Sequence, residues 1–181
     1  MQQRLILLSG PPGVGKTTVA RALAAAAPNG ACVHGDDLRN FIVARRPGMV
    51  RPRTTYRAAG RVAGVFLEAG YDHVVVEYVF SQASHIVELK KAVGLELPIH
   101  AFVLWAPLDV VQERERARRD RRRLGKLVAE SYAEIARNAA QLGQRIDTHD
   151  RPIAELVNEI VRRVEEQSAV WSAVPAREPV P

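Results

Sequence analysis

The 181-residue chain contains a single cysteine, Cys32, so no disulfide can form within it and a reducing compartment is the natural expectation. Long apolar runs are also missing. Stretches such as Ala22 to Ala27 and Val74 to Val76 fall far short of the ~20 residues that span a bilayer. Met1-Gln2-Gln3-Arg4-Leu5 leads straight into the first apolar stretch, without the charged, apolar and small-residue segments of an export signal. The expected location is the cytoplasm, with no membrane partner. The five histidines are scattered without metal-ligand spacing, and structural roles suffice for them. No N-K-x-D occurs, which removes the guanine-reading element of a regulatory GTPase.

What is present is ordinary globular composition, with 47% hydrophobic and 25% charged residues. A single domain over residues 1–168 is expected, followed by a proline-containing tail over 169–181 in which Trp171 can dock on the body. The net charge of +6 and a pI near 10.0 raise nucleic acid as a partner. Its distribution argues otherwise. Arg114, Arg116, Arg118, Arg119, Arg121, Arg122 and Arg123 crowd into one segment, which suits one polyanionic ligand better than a long duplex.

Apolar runs at Leu5 to Leu8, Ala31 to His34, Val74 to Val76, Ile99 to Trp105 and, weakly, Arg145 to Asp147 read as buried strands. Between them lie helical stretches: Thr17 to Ala27, Asp37 to Arg45, Thr54 to Ala69, Ala83 to Val93, Leu108 to Arg123, Leu127 to Leu142 and Pro152 to Gln167. Gly70 and Gly94 stand where helix C-caps belong, and Pro152 suits a first helical turn. Strand and helix alternate throughout. The expected fold class is therefore α/β, a single domain whose five-stranded parallel sheet carries helices on both faces.

Gly10-Pro11-Pro12-Gly13-Val14-Gly15-Lys16-Thr17 fits G-x-x-x-x-G-K-[ST] without a gap, between a buried strand and a helix. Its glycines, with Val14 between them, allow successive N–H groups to turn inward and form a nest for the β-phosphate at a helix N-terminus. Lys16 reaches the β and γ oxygens, Thr17 supplies the hydroxyl that ligates Mg²⁺, and Thr18 can donate to the α-phosphate. A nucleoside triphosphate with Mg²⁺ is the implied cofactor. ATP is expected, and GTP is equally compatible with the loop.

Ligands on an open parallel sheet bind at the carboxyl ends of its strands, and two acidic sites fall there. His34-Gly35-Asp36-Asp37-Leu38-Arg39 follows the second strand, where a carboxylate can accept the proton of an attacking hydroxyl. Asp36 is the candidate base. Asp36 or Asp37 can equally cap the helix that follows, and both roles can coexist. Arg39 is placed to meet the acceptor. Glu77 and the adjoining Tyr78 close the third strand, where P-loop proteins hold the Mg²⁺ shell; glutamate can act there through water or on the acceptor, or stand as an exposed strand end.

Arg114 and Arg118, four apart on a helix, share one face and can stabilise charge on a transferring phosphoryl group. Residues of about 112–126 read as a lid that closes over the site, in which Glu113, Glu115 and Asp120 can also pair with arginines. Arg51, Arg53, Tyr56 and Arg57 are candidates for acceptor recognition, against an alternative as solvent-facing helix residues.

On the loop Gly10 to Thr17, Gly35-Asp36, Val76-Glu77, the Arg114 and Arg118 spacing, and Ile146-Asp147-Thr148, the chain resembles the small P-loop kinases related to chloramphenicol phosphotransferase and gluconate-kinase-like proteins. The resemblance covers most of residues 4 to 165. It implies a base or substrate ligand at Asp36, phosphate or base contacts from Arg114 and Arg118, and nucleotide-base contacts from Asp147 to His149. Glu77 departs from the aspartate common in that group. The implied activity is transfer of the γ-phosphoryl group to a hydroxyl of a small molecule: antibiotic, sugar or nucleoside. A nucleoside monophosphate kinase shares the core, but no clear arginine and glycine signature of a monophosphate site follows Asp37. A polynucleotide kinase and a non-catalytic nucleotide-binding module complete the alternatives, and the sequence suits monomer and dimer alike.

Overall fold

The computed structural model describes residues 3–44, 52–118 and 124–172 of the 181. Five strands, β1 (Arg4–Ser9), β2 (Gly30–His34), β3 (His73–Glu77), β4 (Ile99–Trp105) and β5 (Gln144–Asp147), form one parallel sheet in the order β2-β3-β1-β4-β5. Helices α1 (Lys16–Ala25), α2 (Gly35–Asn40), α3 (Pro52–Glu68), α4 (Ala83–Val93), α5 (Leu108–Ala117), α6 (Lys126–Leu142) and α7 (Ile153–Glu165) connect and cover them. The expected fold class is the one observed.

Central position explains the unbroken apolar character of β1. It pairs with β3 on one side and β4 on the other, and Leu5, Ile6, Leu7 and Leu8 are each at most 1% exposed. Alternate side chains leave opposite faces. Leu5 and Leu7 join Val74, Val76, Ala101 and Val103 beneath α3, α4 and α6, while Ile6 and Leu8 join Val75, Phe102 and Leu104 against α1 and α7. Truncating one such leucine to alanine costs about 2–5 kcal/mol. α3 and α4 pack so closely that a methyl on Gly60 would lie 2.4 Å from the Leu89 carbonyl oxygen.

The chain leaves β1 toward β2 and later crosses back past β1 to β4, so the strand order reverses beside β1. Open α/β sheets place their ligand crevice at such a point, outside the carboxyl ends of the strands. The loop after β1 lies there. At the other end of β4, Ala101 N–H donates to Ala169 O at 3.1 Å and Trp171 N–H to Ile99 O at 2.7 Å. The Trp171 indole donates to Gln141 O at 2.8 Å, so its expected docking is observed. Residues 173–181 lie outside the described residues.

Three helices depart from expectation. α2 begins at Gly35, with Asp36 and Asp37 inside its first turn and His34 at the N-cap, so neither aspartate caps it. α7 likewise takes Pro152 as N-cap rather than in its first turn. α5 stops at Ala117 instead of running to Arg123: Arg118 has extended ψ of 136°. A continued helix would stack Arg114, Arg118, Arg121 and Arg122 on neighbouring turns, where like charges repel.

Candidate active site

From β1 the chain turns through Gly10, Gly13 and Gly15, with φ of 144°, 90° and 98°. L side chains avoid these angles. Gly13 is also pinned by space, since a methyl there would meet the Val111 carbonyl oxygen of α5 at 2.4 Å. Helix α1 then starts at Lys16 with no acidic residue in its first turn and no side-chain cap at Gly15. The N–H groups at that end therefore have no anion from their own helix, which makes it an anion site. Lys16 Nζ donates to Pro11 O at 3.1 Å, folded over the loop it serves.

Glu77 is buried, 5% exposed, and not a free strand end. Its Oε1 accepts from Thr17 Oγ1 at 3.1 Å and contacts His34 Nδ1 at 3.0 Å. Burial pushes its pKa up, but the His34 hydrogen bond, the Lys16 charge and the Thr17 hydroxyl outweigh that and hold it below the usual glutamate value. Glu77 is thus a carboxylate at neutral pH, bonded to the hydroxyl of the phosphate loop. Nearby, burial first and then the Glu77 charge push the Cys32 thiol up to about 12, so it stays protonated.

A cleft of about 730 Å³ opens over the loop. Gly13, Gly15, Lys16, Thr17 and Thr18 form its floor; Asp36, Arg39, Glu77 and Tyr78 one wall; Arg114 and Arg118 its lip. Gly35 fixes that wall, because a methyl on it would lie 2.3 Å from the Tyr78 ring. Tyr78 in turn packs edge-on against Tyr56 and Phe80, with centroids 5.6 and 6.4 Å away. Arg114 and Arg118 reach the cleft from the last turn of α5 and the extended residue after it, rather than from one continuous helical face.

Residues 5–152 match the AAA domain family. The chain belongs to that family. No curated protein sequence matches it. Among solved structures, the tunicamycin resistance protein of Deinococcus radiodurans is similar with a TM-score of 0.67 at 22% identity, covering 97% of this chain and 100% of that one. A gluconokinase from Sinorhizobium meliloti 1021 gives a TM-score of 0.62 at 21% identity, over 91% of this chain and 95% of the other. The Mycobacterium tuberculosis APS kinase in complex with AMPPNP and APS gives 0.59 at 21%, over 91% and 98%. The sequence resemblance to gluconate-kinase-like P-loop proteins is thus borne out in the fold of this AAA domain.

Other residues singled out in the sequence lie elsewhere in the AAA domain. Gly10 and Val14 are buried beneath the cleft. Asp37 is exposed on α2 outside the cleft lining, and Arg53 and Arg57 are exposed on α3, also outside it. Arg51 falls outside the described residues. Thr148 is buried, with its hydroxyl shared between Trp105 O at 3.1 Å and Val14 O at 3.3 Å, so it straps β5 to the phosphate loop. Asp147 accepts from the His149 N–H at 2.8 Å, beside the cleft rather than lining it. Of the acids suggested as partners for the lid arginines, Glu115 is buried and accepts from Leu124 N–H at 2.8 Å, while Asp120 falls in 119–123, outside the described residues.

The far wall was missed by sequence reading. Glu130, Ser131, Glu134 and Arg137 of α6 line it, with Glu134 accepting from Gln82 Nε2 at 3.0 Å. Their spacing of three and four residues does place them on one helix face, but such a pattern also describes any solvated helix surface. No helix among the described residues is long and apolar enough to cross a membrane.

Proposed function

We propose that this AAA domain is a phosphotransferase that moves the γ-phosphoryl group of ATP to a hydroxyl of a small molecule. The observation that carries the reading is one cleft in which the triphosphate loop faces Asp36 on one side and Arg114 with Arg118 on another. The loop N–H groups and Lys16 hold the β- and γ-phosphates. Asp36 takes the proton of the acceptor hydroxyl as its oxygen attacks the γ-phosphorus. The bond from that phosphorus to the β,γ-bridging oxygen breaks, and ADP leaves. Arg114 and Arg118 stabilise the charge that spreads over the equatorial oxygens.

Thr17 and Glu77 would hold Mg²⁺, and the donor set fits that ion: a hydroxyl and an ionised carboxylate are hard oxygen ligands. No group of three or more His, Cys, Asp or Glu able to hold a metal occurs among the described residues. When bound, Mg²⁺ neutralises charge on the β and γ oxygens.

Antibiotics, sugars and nucleosides are the acceptor classes to try, given a tunicamycin resistance protein and a gluconokinase among similar folds. The test is incubation with Mg-ATP, or Mg-GTP, and a panel of such alcohols, following ADP or GDP release and product mass. A nucleotide released only with a particular alcohol, alongside that alcohol's phosphate ester, supports the reading. Tight nucleotide binding with no ester from any class would support a non-catalytic nucleotide-binding module instead.

A further inference from the structure

We infer that His34 is a positioning residue that holds Glu77 on the phosphate-loop threonine, and that it lets a glutamate do the work of a shorter aspartate at this strand end. The inference rests on the reading of Thr17 and Glu77 as the Mg²⁺ side of the site. Its starting point is register. β2 and β3 pair in parallel with His34 directly opposite Glu77, so the two side chains leave neighbouring strand ends together.

The hydrogen bonds then fix the chemistry of the imidazole. Arg21 Nε–H lies 3.2 Å from His34 Nε2, and a guanidinium can only donate. Nε2 is therefore the acceptor, and the ring proton sits on Nδ1, which donates to Glu77 Oε1 at 3.0 Å. The same oxygen accepts from Thr17 at 3.1 Å. One carboxylate oxygen is thus held from the loop and from the edge strand at once.

A reason for this device lies in side-chain length. Glutamate has one more rotatable bond than aspartate and loses more conformational freedom when fixed in one place. Two donors on Oε1 lower that cost by organising the carboxylate beforehand. His34 is only 11% exposed at its side chain, so water does not readily replace it.

The test is calorimetric binding of ADP with excess Mg²⁺ and, separately, with chelator. The readout is the factor by which Mg²⁺ tightens ADP. For His34→Ala that factor should fall about tenfold, roughly 1.4 kcal/mol, while ADP affinity in chelator stays within about twofold of the parent. His34→Asn should recover most of the factor, because its amide nitrogen occupies the place of Nδ1 and donates in the same direction. A Glu77→Asp protein, whose carboxylate is one methylene shorter, should lose much less on His34→Ala than the parent does.

An unchanged Mg²⁺ factor in His34→Ala overturns the inference. So does equal loss with and without Mg²⁺, or a folded His34→Asn protein that recovers nothing, since those mark a general structural role. A parent protein in which Mg²⁺ does not tighten ADP at all would instead bring down the metal reading beneath it.

Discussion

The proposed donor side of the cleft is built from backbone and the proposed acceptor side from side chains, and the two sides differ in how they tolerate change. Gly10, Gly13 and Gly15 adopt φ angles of 144°, 90° and 98° in one continuous loop, and the Gly13 backbone lies against α5. The proposed acceptor side draws Asp36 and Arg39 from α2, Tyr78 from just after β3, and Glu130, Ser131, Glu134 and Arg137 from α6. A loop fixed by backbone geometry has few acceptable sequences. The exposed side chains of that wall, such as Glu130 and Arg137, can be replaced one by one with little effect on the fold, as surface substitutions away from packed features cost little stability.

The largest expected effect comes from striking the donor side. Lys16→Ala should cut turnover by roughly 10²–10³-fold and weaken triphosphate binding, measured by steady-state kinetics and by titration with a non-hydrolysable analogue. If the analogue still binds at parental strength, the donor side is not where the loop suggests. Asp36→Asn strikes the boundary between the halves. It should lower kcat by about 10²-fold with nucleotide affinity unchanged, the mark of a lost general base. Parental turnover in that variant would remove Asp36 as base.

The smallest effect is expected on the acceptor wall. Arg137→Ala and Glu134→Gln should each raise KM for the acceptor by about tenfold, leaving KM for the nucleotide and the melting temperature near parental values. A change in nucleotide KM alone would move α6 to the donor side and dissolve the comparison.

The same contrast explains what could be read from the sequence. Strand, loop and α1 lie within about two dozen contiguous residues, so spacing alone declared them. The fold was legible too, because β1, β3 and β4 are buried on both faces and appear as unbroken apolar runs. Glu77's burial was not legible. Its partner His34 is 43 residues away in sequence and comes opposite only once β2 and β3 pair. The α6 wall was hidden for a related reason: Glu130, Ser131, Glu134 and Arg137 look like an ordinary wet helix until α2 and β3 are placed across from them. Arg53 and Arg57 show the reverse: both flank buried Tyr56 in sequence, yet both are exposed on α3 and outside the cleft lining.

Transfer of the phosphoryl group to an alcohol rather than to water is the claim on which these assignments depend. The most direct measurement uses ATP labelled with ¹⁸O at its γ-phosphoryl oxygens, an alcohol that stimulates ADP release, and mass spectrometry of all phosphorus-containing products. The expected result is a phosphate ester of that alcohol carrying the labelled non-bridging oxygens, formed in step with ADP and lost in Asp36→Asn. Label appearing only in inorganic phosphate, with no ester, would contradict it.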